Sequence, residues 1–291
     1  MKIALIGCGE VGHCYTRAWT AAGHDIVGIC ELRQDKEMAG RAQAAASVLH
    51  AEPGPWLAEA DVVVSAVYGY NAAEVGRQAF PHMRAGAVYA DFTTASAADM
   101  QAAAQAAESF PVAFMDVAIM GAIALLAEKT PLLCAGEGGQ AVTELGESAG
   151  APVRIIDGKP GDAVRLKLLR SVMTKGMESL AVECMVAAER MGLRSSLYEV
   201  LADIDRTPLT AFMDSFVRSH VLHAPRRLAE VREARDQLHE AGLEPLVLNG
   251  VEQLFDRTTR GIQTARANGH ADVPDSVEAR LAWLTTLARQ H

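Results

Sequence analysis

Two groups of residues in this chain have the types and spacing to do chemistry. The first is Gly7-Cys-Gly9-Glu10-Val11-Gly12, between the apolar run Lys2 to Ile6 and a helical pattern that closes on Ala22-Gly23-His24. Glycine at these three places permits a tight turn (Gly7), close approach of the backbone to a pyrophosphate (Gly9) and close packing of the helix (Gly12), whose start faces the phosphates. A second apolar run, Asp25 to Cys30, stops at Glu31, the acid expected about 20 residues on. Such an acid accepts hydrogen bonds from ribose hydroxyls and repels a 2′-phosphate, which favours NAD over NADP. Arg33 is close enough to weaken that preference. The cofactor contacts expected from this block are Gly7, Gly9, Glu10, Val11, Gly12, Glu31 and Arg33. Glycines at this spacing also make plain strand-to-helix turns, and the flanking strand and acid weigh against that reading.

The second group is Lys167, Ser171, Thr174 and Glu178, spaced i, i+4, i+7 and i+11, so that a helix would hold them in one stripe. A lysine takes or returns a proton when burial and nearby cations lower its pKa towards the working pH, and Arg165, Arg170 and Lys175 are candidate cations. Opposite this stripe run Leu168, Leu169, Val172, Met173, Leu180, Cys184 and Met185. By periodicity alone, a polar stripe opposite an apolar one is a solvated face. The helix should run from Pro160 to Gly192, with Asp162 as N-cap and Gly192 past its end.

Before this helix, strands and helices alternate. Strands are expected at Asp61 to Val67, Gly86 to Asp91, Pro111 to Asp116, Thr130 to Ala135 and Val153 to Ile156, with helices at Asn71 to Phe80, Ser96 to Glu108 and Ala141 to Ser148. After it the pattern is helical only, at Ser195 to Ile204, Pro208 to Val221, Arg226 to Ala241, Pro245 to Ala267 and Ser276 to Arg289. The fold class expected is therefore α/β: an N-terminal Rossmann-type, doubly wound sheet over 1–160, then an all-helical domain over 161–291.

The net charge of −9 argues against nucleic acid or an anionic membrane as partner, since both select basic surfaces. A small anionic substrate in a locally basic pocket stays compatible with it. The five cysteines are scattered without metal-ligand spacing, which fits reduced thiols in the cytoplasm and no bound metal. There is no signal-peptide pattern and no apolar run long enough to span a bilayer. His220 and His223, isolated on helices, read as surface or satisfied core residues.

In this layout the chain resembles the β-hydroxyacid dehydrogenase family, which includes 3-hydroxyisobutyrate and 6-phosphogluconate dehydrogenases. Ile6 to Gly12 with Ala22-Gly23-His24 matches its first block. Asp91-Phe-Thr-Thr94 is similar to its nicotinamide-side segment, Asp116 to Ala122 to its substrate-carboxylate motif, and Arg226 to Val231 with Gly242 to its late motif. The resemblance implies further cofactor contacts at Val67 and Thr94, and substrate contacts at Met120, Gly121, Ala122, Thr174 and Lys175. Counting from Gly161, it places the catalytic lysine at Lys167, with Ser171 one turn later. Met120, Ala122, Ser171 and Ala229 stand where the family usually has serine, glycine, asparagine and lysine, so side-chain recognition of the substrate must differ.

The resemblance thus implies hydride transfer between a hydroxy acid, or a related polyol acid, and NAD (or NADP), with Lys167 as general acid/base and a homodimer as the working form. One alternative is an imine reductase on the same scaffold, a branch in which the lysine is typically absent. Another is an NAD-binding protein without turnover.

Overall fold

The computed structural model describes residues 1–269 and 275–288. The chain forms two compact units, Met1–Val172 and Met173–His291. The division falls inside the long helix, whereas the sequence pattern places the boundary at that helix's start.

In the first unit, β1 (Lys2–Ile6), α1 (Glu10–Ala21), β2 (Asp25–Cys30), α2 (Lys36–Ala44), β3 (Leu49–His50) and β4 (Val62–Ser65) come first. They are followed by α3 (Ala72–Ala79), β5 (Val88–Asp91), α4 (Ala97–Ala107), β6 (Ala113–Ile119), α5 (Ile123–Leu126), β7 (Leu132–Gly136), α6 (Gly139–Ser148) and β8 (Val153–Ile155). The strands make one eight-stranded sheet in the order β3-β2-β1-β4-β5-β6-β7-β8, parallel except where β7 runs against β6. The strands read as continuous apolar runs because both faces are covered. Ile3 and Leu5 pack on one side with Tyr15, Trp19, Met38 and Leu145 of α1, α2 and α6. Ala4 and Ile6 pack on the other with Ala72, Ala79, Met100 and Ala103 of α3 and α4. Trp19 joins α1 to α6 by donating from Nε1 to the Leu145 carbonyl at 2.9 Å. The two-residue β3 is too short for sequence periodicity to reveal.

The second unit continues α7 (Asp162–Arg190) and adds α8 (Arg194–Val200), α9 (Leu209–Glu240), α10 (Leu246–Ala267) and α11 (Val277–Ala288). Two helices expected on either side of Pro225 are one, α9, which carries the proline inside it. An interior proline costs about 3 kcal/mol or more. Burial of Val221, Ala224 and Leu228 on the same helix, and the ion pairs of Arg232 and Arg235 with Glu252 of α10 at 2.8 and 2.6 Å, offset it. Glu183 of α7 accepts from the Val247 and Leu248 amides at 2.7 and 2.9 Å, capping the start of α10. His220 is a satisfied, half-buried residue: its Nε2 lies 2.9 Å from Thr258 Oγ1. The expected end of the last helix, Arg289, lies outside the described residues.

The apolar stripe of α7 departs from expectation. Leu168, Leu169, Val172 and Leu180 are exposed, Val172 by 72%. Among the described residues, none covers them.

Candidate active site

The loop after β1 meets the loop after β4 where the strand order reverses, the place at which open α/β sheets bind ligands. Gly7 has a φ of +93°, and a Cβ there would lie 2.6 Å from the Ala66 carbonyl oxygen. A Cβ on Gly12 would lie 2.0 Å from the Gly7 oxygen, while nothing stands within 4 Å of a Cβ at Gly9. Gly7 and Gly12 are therefore obligatory for the turn, and Gly9 leaves the backbone open to a large anion. Gly9 is the N-cap of α1 and supplies no side chain, so the first-turn amides of Glu10 and Val11 face outwards without a local cap. These residues fit a dinucleotide pyrophosphate.

Glu31 sits at the end of β2 and is tied to this loop. Its Oε2 accepts from the Cys8 amide at 3.0 Å and its Oε1 from the Arg33 amide at 3.2 Å. The Arg33 side chain is directed at acids, with Asp35 at 3.9 Å and Glu37 at 3.7 Å. A basic residue that sequence reasoning missed lies closer to the loop. Arg41 of α2 donates to the Cys8 and Gly9 carbonyls at 2.5 and 3.3 Å and pairs with Glu37. Its only local signal is the i, i+4 spacing to Glu37, which any solvated helix shares.

Further along the same sheet edge, β4, β5 and β6 are parallel neighbours, so Val67, Thr94 and Met120 follow side by side. Val67 and Met120 are half-buried, and Gly121 and Ala122 are exposed. Met120 is fixed by its backbone, which donates to the Pro131 carbonyl at 2.8 Å. Lys167, half-buried in the second turn of α7, donates from Nζ to Thr94 Oγ1 at 2.9 Å. Ser171 is half-buried one turn later on the same face. Thr174 and Lys175 are exposed and belong to the second unit. They are not brought to Lys167 by any hydrogen bond among the described residues.

The electrostatics of the lysine differ from the expectation of neighbouring cations. Burial lowers the Lys167 pKa, and the negative charge of Asp116 opposes that. Arg165, a candidate cation, is paired with Asp162 at 2.7 Å. Asp162 is not the N-cap of α7 either, since its carboxylate turns back to the Lys159 amide at 3.1 Å. The cap comes from β6: Asp116 Oδ2 accepts from the amides of Gly161 at 2.9 Å and Val164 at 3.3 Å. Asp116 is fully buried and lies in register with Asp91 of β5, also fully buried. Burial raises the pKa of both acids, that of Asp91 to about 6.

Residues 2–148, half of the chain, match the NAD binding domain of 6-phosphogluconate dehydrogenase. The chain belongs to this family. Residues 188–258 match a domain of unknown function, DUF1932. An uncharacterised 28.5 kDa protein of Methanothermus fervidus is 24% identical over 255 residues, 88% of this chain and 98% of that protein. One solved structure is a conserved protein of unknown function described as similar to 3-hydroxyacid dehydrogenases. It is 25% identical, covers 94% of this chain and 100% of its own, and has a TM-score of 0.61. An imine reductase from Aspergillus terreus, 15% identical, shares the fold at a TM-score of 0.74 over 96% of this chain and 97% of its own. The chain thus has a hydroxyacid dehydrogenase-like fold that binds NAD or NADP, and its family is one of oxidoreductases.

Proposed function

We propose that the protein transfers hydride between the CH–OH carbon of a hydroxy acid, or a related polyol acid, and a nicotinamide cofactor, with Lys167 as general acid/base. The observation that carries this is the half-buried Lys167 amine held 2.9 Å from Thr94 Oγ1 at the sheet edge that the phosphate loop shares. The cofactor, when bound, supplies the hydride acceptor or donor. Gly9 and the first turn of α1 would hold its pyrophosphate, and Val67 and Thr94 would line its nicotinamide side.

In oxidation the neutral Lys167 amine takes the hydroxyl proton, and in reduction the ammonium returns it to the developing alkoxide. Burial serves this role by making the neutral amine accessible nearer neutral pH. Thr94 Oγ1 holds the amine in place, and Ser171, one turn on, holds either the lysine or the substrate. The exposed Gly121 and Ala122 amides are the donors available for a substrate carboxylate, because Met120 offers none from its side chain. Glu31 supports NAD over NADP, since a carboxylate at the end of β2 opposes a 2′-phosphate.

A panel of hydroxy acids, with a cyclic imine included, read by nicotinamide absorbance tests the reading. Turnover of a hydroxy acid, lost in Lys167→Ala with cofactor binding retained, is the expected result. Turnover of the imine alone would replace it with imine reduction, and binding of NADH without any turnover would leave a cofactor-binding protein.

The exposed Leu180 of α7, together with Val200, Leu209 and Phe216 of α8 and α9, supports a homodimer formed through the helical unit. Light scattering at the mass of one 31.0 kDa chain would exclude it. Five free cysteines support a reducing, cytoplasmic setting. Among the described residues no helix is long and apolar enough to cross a membrane.

A further inference from the structure

Asp116 and Asp91 are buried charges for which the proposed reaction has no direct use. A carboxylate taken out of water is retained only where hydrogen bonds or opposite charge compensate it. Asp116 is compensated on one side: Oδ2 takes the Gly161 and Val164 amides at the start of the helix that carries Lys167. Among the described residues, its other oxygen, Oδ1, has no hydrogen-bond partner, and neither has Oδ2 of Asp91 on the adjacent strand. Asp91 accepts from the Thr93 amide at 2.8 Å on Oδ1.

The two acids are thus unequal. Burial pushes both up, and Asp116, with two backbone donors on one oxygen against one for Asp91, is the better stabilised as an anion. The backbone at the cap is equally specialised. Gly161 has a φ of +99°, and a Cβ there would meet the Ala97 carbonyl oxygen at 2.9 Å. Only glycine lets the chain deliver its amide to Asp116 at the point where α7 begins.

We propose that Asp116 is a positioning residue for Lys167: from β6 its buried carboxylate caps, through the Gly161 and Val164 amides, the first turn of the helix that carries the lysine one turn on, and its charge favours the protonated amine. The inference deepens the reading of Lys167 as the acid/base group, yet it is read out without substrate. The other titratable groups around the pair are accounted for. Tyr89 on β5 and Cys134 on β7 are pushed up by burial and by the two acids, Cys134 to about 12, so both are neutral at working pH. Asp162 on α7 is held low, first by the Lys159 amide and then by Arg165. Asp162 is thus an anion as well, but Arg165 pairs with it at 2.7 Å, which leaves the Asp116 charge for Lys167 to answer to.

The test is competitive labelling of amines with an acid anhydride across pH, with Lys167 followed by mass spectrometry in the wild type and in Asp116→Asn. The asparagine keeps an oxygen for the Gly161 and Val164 amides and removes the charge. Lys167 should then label roughly threefold or more faster at pH 8, as loss of a nearby opposite charge lowers a lysine's pKa. Unchanged labelling in a folded Asp116→Asn protein would overturn the proposal. Should that variant not fold, hydrogen exchange of the wild type decides. The Gly161 and Val164 amides should be protected at pH 7 and lose protection in acid before global unfolding, and free exchange at pH 7 would overturn the cap. Labelling reports on the amine whether or not any substrate turns over, so a failed substrate panel and a failed positioning role give different results.

Discussion

Two helices of this chain begin on a carboxylate sent from a distant segment. Glu183 caps α10 from 64 residues away, and Asp116 caps α7 from 45 residues away. The Glu183 site is half-buried and ends there: two backbone amides are satisfied and no lysine depends on it. The Asp116 site is fully buried, stands beside a second buried acid and touches by its charge the lysine one turn into the helix. If Lys167 is the acid/base group proposed above, the same local device serves stability in one place and chemistry in the other. What separates them is burial, which turns a cap into an electrostatic control.

Three perturbations sharpen this contrast. The largest concerns Asp91. Its proton is held more tightly folded, to about pH 6, than at its ordinary value of 3.8. The folded state therefore binds more protons over that interval. The contribution of Asp91 to stability is fully present below pH 3.8 and is lost, by about 3 kcal/mol, as pH rises through 6. Asp91→Asn should abolish that slope in urea melts and be more stable than the wild type at pH 7.5. A slope equal to the wild type's would place the burial cost elsewhere.

Glu183→Ala should lower stability by about 1 kcal/mol, the ordinary loss for a helix cap, and leave Lys167 labelling unaltered. A change in Lys167 reactivity would erase the distinction between the two caps. The smallest effect is expected at the phosphate loop. Arg41→Ala removes the guanidinium from the Cys8 and Gly9 carbonyls and should weaken NADH binding by roughly fivefold, about 1 kcal/mol by calorimetry.

The contrast also separates what could be read from the sequence from what could not. The phosphate loop was legible because its requirements are local: Gly7 and Gly12 are dictated by backbone within a few residues, and Glu31 follows at a fixed distance along one βαβ unit. The sheet was legible for the same reason, through apolar runs that both faces bury. Lys167 stands in a polar stripe that periodicity assigns to solvent, and only the family register proposes it for the site. Its partner Asp116 was read as part of a substrate motif, and the cap was given to Asp162, because a hydrogen bond between β6 and the start of α7 leaves no periodic trace. Arg41 escaped notice for a similar reason, since its acceptors are backbone carbonyls that any residue type provides. Pro225 misled in the opposite direction, as a local breaker that tertiary packing overrides.

The most direct measurement is turnover of Lys167→Ala beside the wild type, on the best hydroxy acid of the panel, with NADH affinity determined on the same samples. Acid–base groups contribute roughly 10²–10⁴-fold, so the variant should lose at least a hundredfold in turnover and bind NADH as the wild type does. A loss below about tenfold, with cofactor affinity intact, would contradict the assignment of the proton transfer to Lys167.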